Sequence, residues 1–163
     1  MKLCVLTAIV ALALVACEGP VGPTGGVDGV QGPPGKLDPP SLGGSTLRGS
    51  YALGFVATAS NQLNSTSWSY EFTLASPPQA HFIALGAATP AECPGTGEDP
   101  QADPGHLCVY EVVTNSNTTG KNVCSEGGCP SSGEWGAWVL AESIGAGSVL
   151  SRGTWAVTEF PAS

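Results

Sequence analysis

Glycine recurs at nearly every third position between Gly19 and Lys36, and no other feature restricts the conformation of this chain as strongly. Six Gly-X-Y triplets, interrupted once by an extra glycine at position 25, contain four prolines. In a triple helix every third residue lies at the crowded axis, where only glycine fits, and proline pre-sets the polyproline II backbone. The spacing predicts a collagen-like stalk. The open alternative is a disordered Gly/Pro-rich tether.

These triplets also predict a homotrimer, because a single polyproline II strand has no internal hydrogen bonds and needs partner strands. Six interrupted triplets are too few to offset the entropy of ordering three chains. We therefore expect the domain that follows the stalk to supply most of the association energy. A monomeric head on a flexible tether is the alternative.

Residues 1–16 predict an export signal. Met1 and Lys2 form a short charged start, and the following 14 residues carry no charge. That run is too short to span a bilayer as a helix, which takes roughly 20 apolar residues. Its end, Leu-Val-Ala followed by Cys17, resembles the lipobox of bacterial lipoproteins. The resemblance implies that Cys17 is lipidated and becomes the first residue of the mature chain; the alternative is an ordinary cleaved signal peptide.

Lipidation at Cys17 would place the protein outside the cytoplasm, anchored to a bacterial membrane, with the outer membrane or cell surface expected. The chain carries a net charge of −8, and removal of residues 1–16 with Lys2 makes it −9. Nucleic acid is not expected as a partner, since its phosphates require basic side chains. The expected partners are the membrane, through the anchor, and an extracellular protein or glycan.

Residues 17–45 are interpreted as stalk and linker, and residues 46–163 as one head domain. Short alternating segments predict an all-β head and no long amphipathic helix. We expect an antiparallel β-sandwich, with a jelly-roll-like arrangement favoured. The predicted strands are 51–59, 67–74, 81–85, 107–114, 135–142 and 153–160.

Four cysteines remain in the head, and an even number in an exported chain predicts two disulfides. Of three possible connectivities we favour the sequential one. Cys124 and Cys129 would close a tight glycine-containing loop, whereas Cys93 and Cys108 would close a long loop rich in Pro, Gly and Asp. Four thiolates bound to zinc are the alternative, but the usual Cys-X-X-Cys spacing is missing.

No catalytic motif is recognisable in the sequence, so neither a catalytic residue nor a cofactor nor a metal is predicted. His81 is expected to be structural and His106 to lie in a loop. The acidic segment 98–103 is interpreted as a solvated loop, with calcium binding as the alternative. The four tryptophans predict either core or interface positions or a sugar-stacking surface: Trp68, Trp135, Trp138 and Trp155.

The order of these parts, an export or lipid signal, a short Gly-X-Y segment and a β head, resembles that of bacterial collagen-like surface proteins. The segments 91–96 (AECPGT) and 104–110 (PGHLCVY) are similar to head sequences with this layout. The resemblance implies a lipid-anchored, adhesin-like surface protein that is not an enzyme. A secreted carbohydrate-binding or carbohydrate-active domain on a flexible tether is the alternative.

Overall fold

The computed structural model describes residues 43–160, and in that range the chain forms seven β-strands and no helix. The export signal, Cys17 and the Gly-X-Y segment lie outside the described residues. The first strand begins at Thr46, where the sequence predicts the start of the head. The strands are β1 (Thr46–Ala57), β2 (Leu63–Ser69), β3 (Gln79–Ile83), β4 (His106–Thr114), β5 (Thr118–Cys124), β6 (Gly136–Ser143) and β7 (Gly147–Thr158).

The strands form two sheets that pack as a β-sandwich, which confirms the predicted fold class. One sheet has the order β1-β7-β4-β3 and the other the order β2-β6-β5. The longest pairing is antiparallel and runs from Thr46 opposite Thr158 to Ala57 opposite Gly147. The pair β3–β4 is parallel, and the other strand pairs of residues 43–160 are antiparallel. A jelly roll has eight antiparallel strands, so that finer prediction stays a prediction.

The core lies between the two sheets and is built from alternate residues of the strands. Leu107 and Val109 of β4, Val123 of β5 and Val139 of β6 are 0% exposed. Successive side chains of a strand point to opposite faces, so this alternation directs one face of each sheet inward. Burying each aliphatic side chain contributes about 1.5–3 kcal/mol, which makes this core the main stabilising element.

Two tryptophans stack inside the sandwich. The rings of Trp68 and Trp155 are 5.5 Å apart and inclined by 12°, so they join β2 of one sheet to β7 of the other. Gly49 on β1 makes room for this stack, because a Cβ there would lie 2.5 Å from Cζ2 of Trp155. The glycine is therefore required by packing and not by its backbone angle.

A long loop, residues 84–105, covers the outer face of the four-stranded sheet. It is fastened covalently by the disulfide Cys93–Cys108, with both cysteines 0% exposed. Hydrogen bonds hold it as well: Thr154 Oγ1 donates to the carbonyl of Gly97 at 2.9 Å, and Arg48 Nε donates to that of Pro100 at 2.7 Å. The disulfide predicted between Cys93 and Cys108 is therefore present, and it closes the long loop as predicted.

Each predicted strand overlaps a strand of the structure, but β1 begins five residues before the predicted 51, and two further predictions are wrong in part. The predicted strand 67–74 leaves the sheet after Ser69, because the backbone N–H groups of Tyr70 and Leu74 donate instead to carbonyls of the loop before β6. Strand β5 was not predicted, since its sequence TTGKNVC alternates poorly. The last strand begins at Gly147, six residues earlier than the predicted 153.

Candidate functional site

A buried ion pair joins the two sheets. Nζ of Lys121 on β5 lies 2.8 and 2.7 Å from the two carboxylate oxygens of Glu111 on β4. The Glu111 side chain is 0% exposed and that of Lys121 is 15% exposed. The same carboxylate accepts hydrogen bonds from the Ser151 hydroxyl at 2.8 Å and from the Leu85 N–H at 3.2 Å. Both oxygens are thus satisfied inside the sandwich.

The network around this pair extends to Tyr51 on β1, whose hydroxyl oxygen is 3.2 Å from Oγ of Ser151. Burial raises the pKa of Tyr51, the Ser151 hydrogen bond opposes that rise, and the negative charge of Glu111 adds to it. Lys121 also donates to Thr114 Oγ1 at 3.1 Å. The arrangement links β1, β4, β5 and β7, and the Glu111 side chain and Ser151 at its centre are 0% exposed.

The two histidines lie side by side on the parallel strands β3 and β4. Nε2 of His81 is 3.0 Å from Nδ1 of His106, so one nitrogen donates and the other accepts. Burial lowers the pKa of His81; the adjacent His106 lowers it further and Glu92 opposes the shift. His106, predicted to lie in a loop, is the first residue of β4. Within residues 43–160 no group of three or more His, Cys, Asp or Glu is placed to hold a metal ion.

The acidic loop is open to solvent at three of its carboxylates, Glu98, Asp99 and Asp103. Its shape is set by Thr96, whose Oγ1 accepts hydrogen bonds from the backbone N–H of Glu98 at 3.3 Å and of Asp99 at 3.1 Å. The side chain of Asp99 accepts a further bond from Gln101 at 2.7 Å. These contacts form a local turn.

The four tryptophans divide into a core pair, with Trp155 buried and Trp68 partly buried, and two at the surface. Trp68 and Trp155 form the core stack, and their indole N–H groups are buried without a hydrogen-bond partner. Trp135 is 70% exposed, and Trp138 is partly exposed on the outer face of β6. The predicted core role therefore holds for Trp68 and Trp155, whereas sugar stacking by Trp135 and Trp138 stays a prediction.

The surface pair lines a shallow groove of about 270 Å³, called here the Trp135 groove. Its floor comes from the outer face of the three-stranded sheet, where Trp138 lies opposite Ser67 in the β2–β6 register. The groove is lined by Ser67, Trp68, Ser69, Glu126, Trp135, Gly136, Ala137 and Trp138. The lining residues therefore include three tryptophans, two serines and one glutamate.

The segments that bear Trp135 and Glu126 are both held by the fold. The Trp135 carbonyl accepts a hydrogen bond from the Tyr70 N–H at 2.8 Å, and the Glu134 carbonyl accepts one from the Leu74 N–H at 3.0 Å. Glu126 lies in the loop closed by the second disulfide, Cys124–Cys129, which is also bonded as predicted. The groove is therefore presented by anchored backbone.

Sequence reasoning could have located part of this groove. Ala137, Val139 and Ala141 face inward, so the period-two rule places Trp138 on the outer face. Trp135 is predicted as the first residue of strand 135–142, but it lies just before β6, so the period-two rule does not place its side chain. The Glu111–Lys121 pair was missed because it requires β5, which was not predicted.

The chain matches no protein-family model, no curated protein and no solved structure in the comparisons made with it. Residues 43–160 contain no helix long and apolar enough to cross a membrane. The two disulfides are typical of an oxidising compartment outside the cytoplasm.

Proposed function

We propose that the protein is a lipid-anchored, adhesin-like surface protein whose β head binds an extracellular ligand. The observation that carries this proposal is Trp135, a 70% exposed indole on a loop that is anchored by backbone hydrogen bonds. Exposing a large aromatic side chain forgoes about 1.5–3 kcal/mol of burial. An exposed aromatic side chain on anchored backbone, beside a second one in a groove, is typical of a recognition site.

The anchor is Cys17 in this proposal. Support comes from the Leu-Val-Ala-Cys sequence at the end of a short uncharged segment and from the disulfide-bonded head that follows. One acyl chain binds a membrane only marginally, so two or three chains on Cys17 would provide a durable anchor. The protein would then be displayed on a bacterial outer membrane or cell surface.

The Gly-X-Y segment serves as the stalk that separates the head from the membrane. As an extended chain, the 18 residues from Gly19 to Lys36 would span up to about 55 Å at ~3.1 Å per residue. We propose a homotrimer as the assembled form, since Gly-X-Y repeats gain hydrogen bonds only when three chains wind together.

A carbohydrate-active domain is the second candidate, and the Trp135 groove bears on it. Most glycoside hydrolases use two carboxyl groups on either side of the scissile bond. Among the described residues that line the groove, Glu126 is the one acid. The groove thus supports binding better than cleavage.

Replacing Cys17 with alanine is expected to abolish labelling of the protein by a palmitate analogue in living cells, because the acylated thiol is lost. Cys4→Ala is the matched control, since Cys4 lies within the uncharged run that precedes the cleavage point. Labelled protein should partition into a detergent phase, and the Cys17 variant should not. Equal labelling of Cys17→Ala and the native chain would refute the anchor.

A further inference from the structure

We infer that the Trp135 groove binds a neutral saccharide, with one sugar ring stacked on the Trp135 indole. The inference rests on the proposed function and names the ligand class for its site. Four properties of the groove carry it: an exposed indole on anchored backbone, a small volume, polar lining groups, and the absence of a cation among the described lining residues.

The backbone that carries the Trp135 indole is preorganised. Two backbone hydrogen bonds hold the loop of Trp135. The Tyr70 N–H donates to the Trp135 carbonyl at 2.8 Å, and the Gly133 N–H donates to the Gly136 carbonyl at 3.0 Å. Gly136 allows the close approach to β2, since a Cβ there would lie 2.1 Å from the Trp68 carbonyl oxygen. A ligand that stacks on Trp135 therefore does not have to order this loop, which removes part of the entropic cost of binding.

The size of the groove suits a ring and not a folded partner. Its volume of about 270 Å³ lies just below the ~300–1,000 Å³ of small-molecule pockets. The face of an indole carries negative quadrupole charge, and the C–H groups on one face of a pyranose are apolar and slightly positive. Stacking the two faces buries apolar surface on both sides and leaves the sugar hydroxyls at the ring edge free for hydrogen bonds.

Polar groups are available to those hydroxyls. Ser67 and Ser69 are exposed on β2 and can each donate or accept, and the Glu126 carboxylate can accept. The Cys124–Cys129 loop holds the backbone of Glu126 beside the groove; within it, Ser125 and Gly128 exchange backbone hydrogen bonds of 3.0 and 2.9 Å. A purely apolar partner would leave these groups without hydrogen bonds, whereas a sugar satisfies them.

Charge selects against acidic ligands. No Lys, Arg or His is among the described residues that line the groove, and the one acidic residue among them is Glu126. The whole chain carries −8, so a sulfated, sialylated or uronic saccharide would be repelled both at long range and in the groove. Nucleotides are disfavoured for the same reason, since their bases could stack on an indole but their phosphates need cations.

The test is a binding screen of the soluble mature chain from Glu18 against neutral oligosaccharides, acidic oligosaccharides and extracellular matrix proteins. We expect binding to at least one neutral oligosaccharide and a tenfold or greater loss of affinity in Trp135→Ala. Phe160→Ala is the control, since Phe160 is an aromatic residue, 55% exposed, that does not line the groove. Trp135→Phe, which keeps a ring, should retain more affinity than Trp135→Ala.

A second measurement does not depend on the folding of any alanine variant. In the native chain, the indole N–H resonance of Trp135, assigned from its absence in Trp135→Phe, should shift as the neutral oligosaccharide is added. Unchanged affinity in Trp135→Ala or an unmoved resonance would overturn the inference. Binding to a matrix protein without any saccharide would overturn it while leaving the proposed function standing, and no binding to any probe would count against both.

Discussion

Replacing Lys121 with methionine is expected to lower the free energy of unfolding by about 3–5 kcal/mol. The substitution leaves the Glu111 carboxylate buried, 0% exposed, without its cation. The remaining hydrogen bonds from Ser151 and Leu85 do not neutralise that charge. Chemical denaturation of the oxidised protein, followed by tryptophan fluorescence, measures the change, since Trp68 and Trp155 lie in the core.

Two further variants separate the effect of leaving Glu111 unpaired from the general effect of removing a cation. Replacing both partners, Lys121→Met with Glu111→Leu, should recover part of the lost stability, because an apolar pair needs no charge compensation but leaves Ser151 and the Leu85 N–H without this acceptor. Arg152→Met, at an exposed cation on β7, should change stability by no more than about 0.5 kcal/mol. A Lys121→Met protein within that same range of the native one would show that the pair contributes no net stability.

Removing the Cys93–Cys108 disulfide by replacing both cysteines with alanine is expected to cost about 3 kcal/mol, as estimated for a closed loop of 15 residues. Its loss also frees the loop 84–105 from the outer face of the sheet, so cleavage by added protease should begin within that loop. Alanine is preferred to serine, because both positions are 0% exposed and a serine hydroxyl would be buried there.

The Cys124–Cys129 disulfide provides the comparison. It closes a separation of only five residues, so its removal should cost less, about 2 kcal/mol in the same chain-entropy model. Chemical unfolding of the two double-alanine variants under non-reducing conditions shows which disulfide contributes more to stability. A larger loss of stability for the Cys124–Cys129 variant, or no loss for the Cys93–Cys108 variant, would contradict the prediction that Cys93–Cys108 is the more stabilising disulfide.

The parts of the fold that could be predicted are those encoded locally. Tyr51, Leu53 and Phe55 alternate with small residues, and this pattern alone indicates β1 and its inward face. The disulfides were also accessible, because sequential pairing closes one tight turn and one long loop. Both features depend on residues that are near one another in the sequence.

The parts that could not be predicted depend on distant contacts. Glu111 and Lys121 are buried together because a β-bulge after Glu111 and the register of β5 bring them to the same point between the sheets. Gly153, opposite Glu111, approaches so closely that a Cβ would lie 1.9 Å from the Tyr110 carbonyl oxygen. Neither the bulge nor β5 has a signature in its own sequence.

The candidate groove shows the same division. Trp68 and Trp138 both lie in alternating segments, yet Trp68 packs in the core and Trp138 faces outward. The reason is that even-numbered residues of β2 but odd-numbered residues of β6 point into the sandwich. Composition could indicate that four tryptophans are core or surface residues. The assignment of each one required the pairing of β2 with β6.

The oligomeric state of the soluble chain most directly tests the proposed display of an assembled head on a collagen-like stalk. Light scattering on the chain from Glu18 and on the head alone from Gly44, both at micromolar concentration, gives the two masses. We predict three chains in each particle, because six interrupted triplets cannot hold the trimer without the head. A single-chain mass for both would contradict the assembled stalk and leave the Gly-X-Y pattern without a structural consequence.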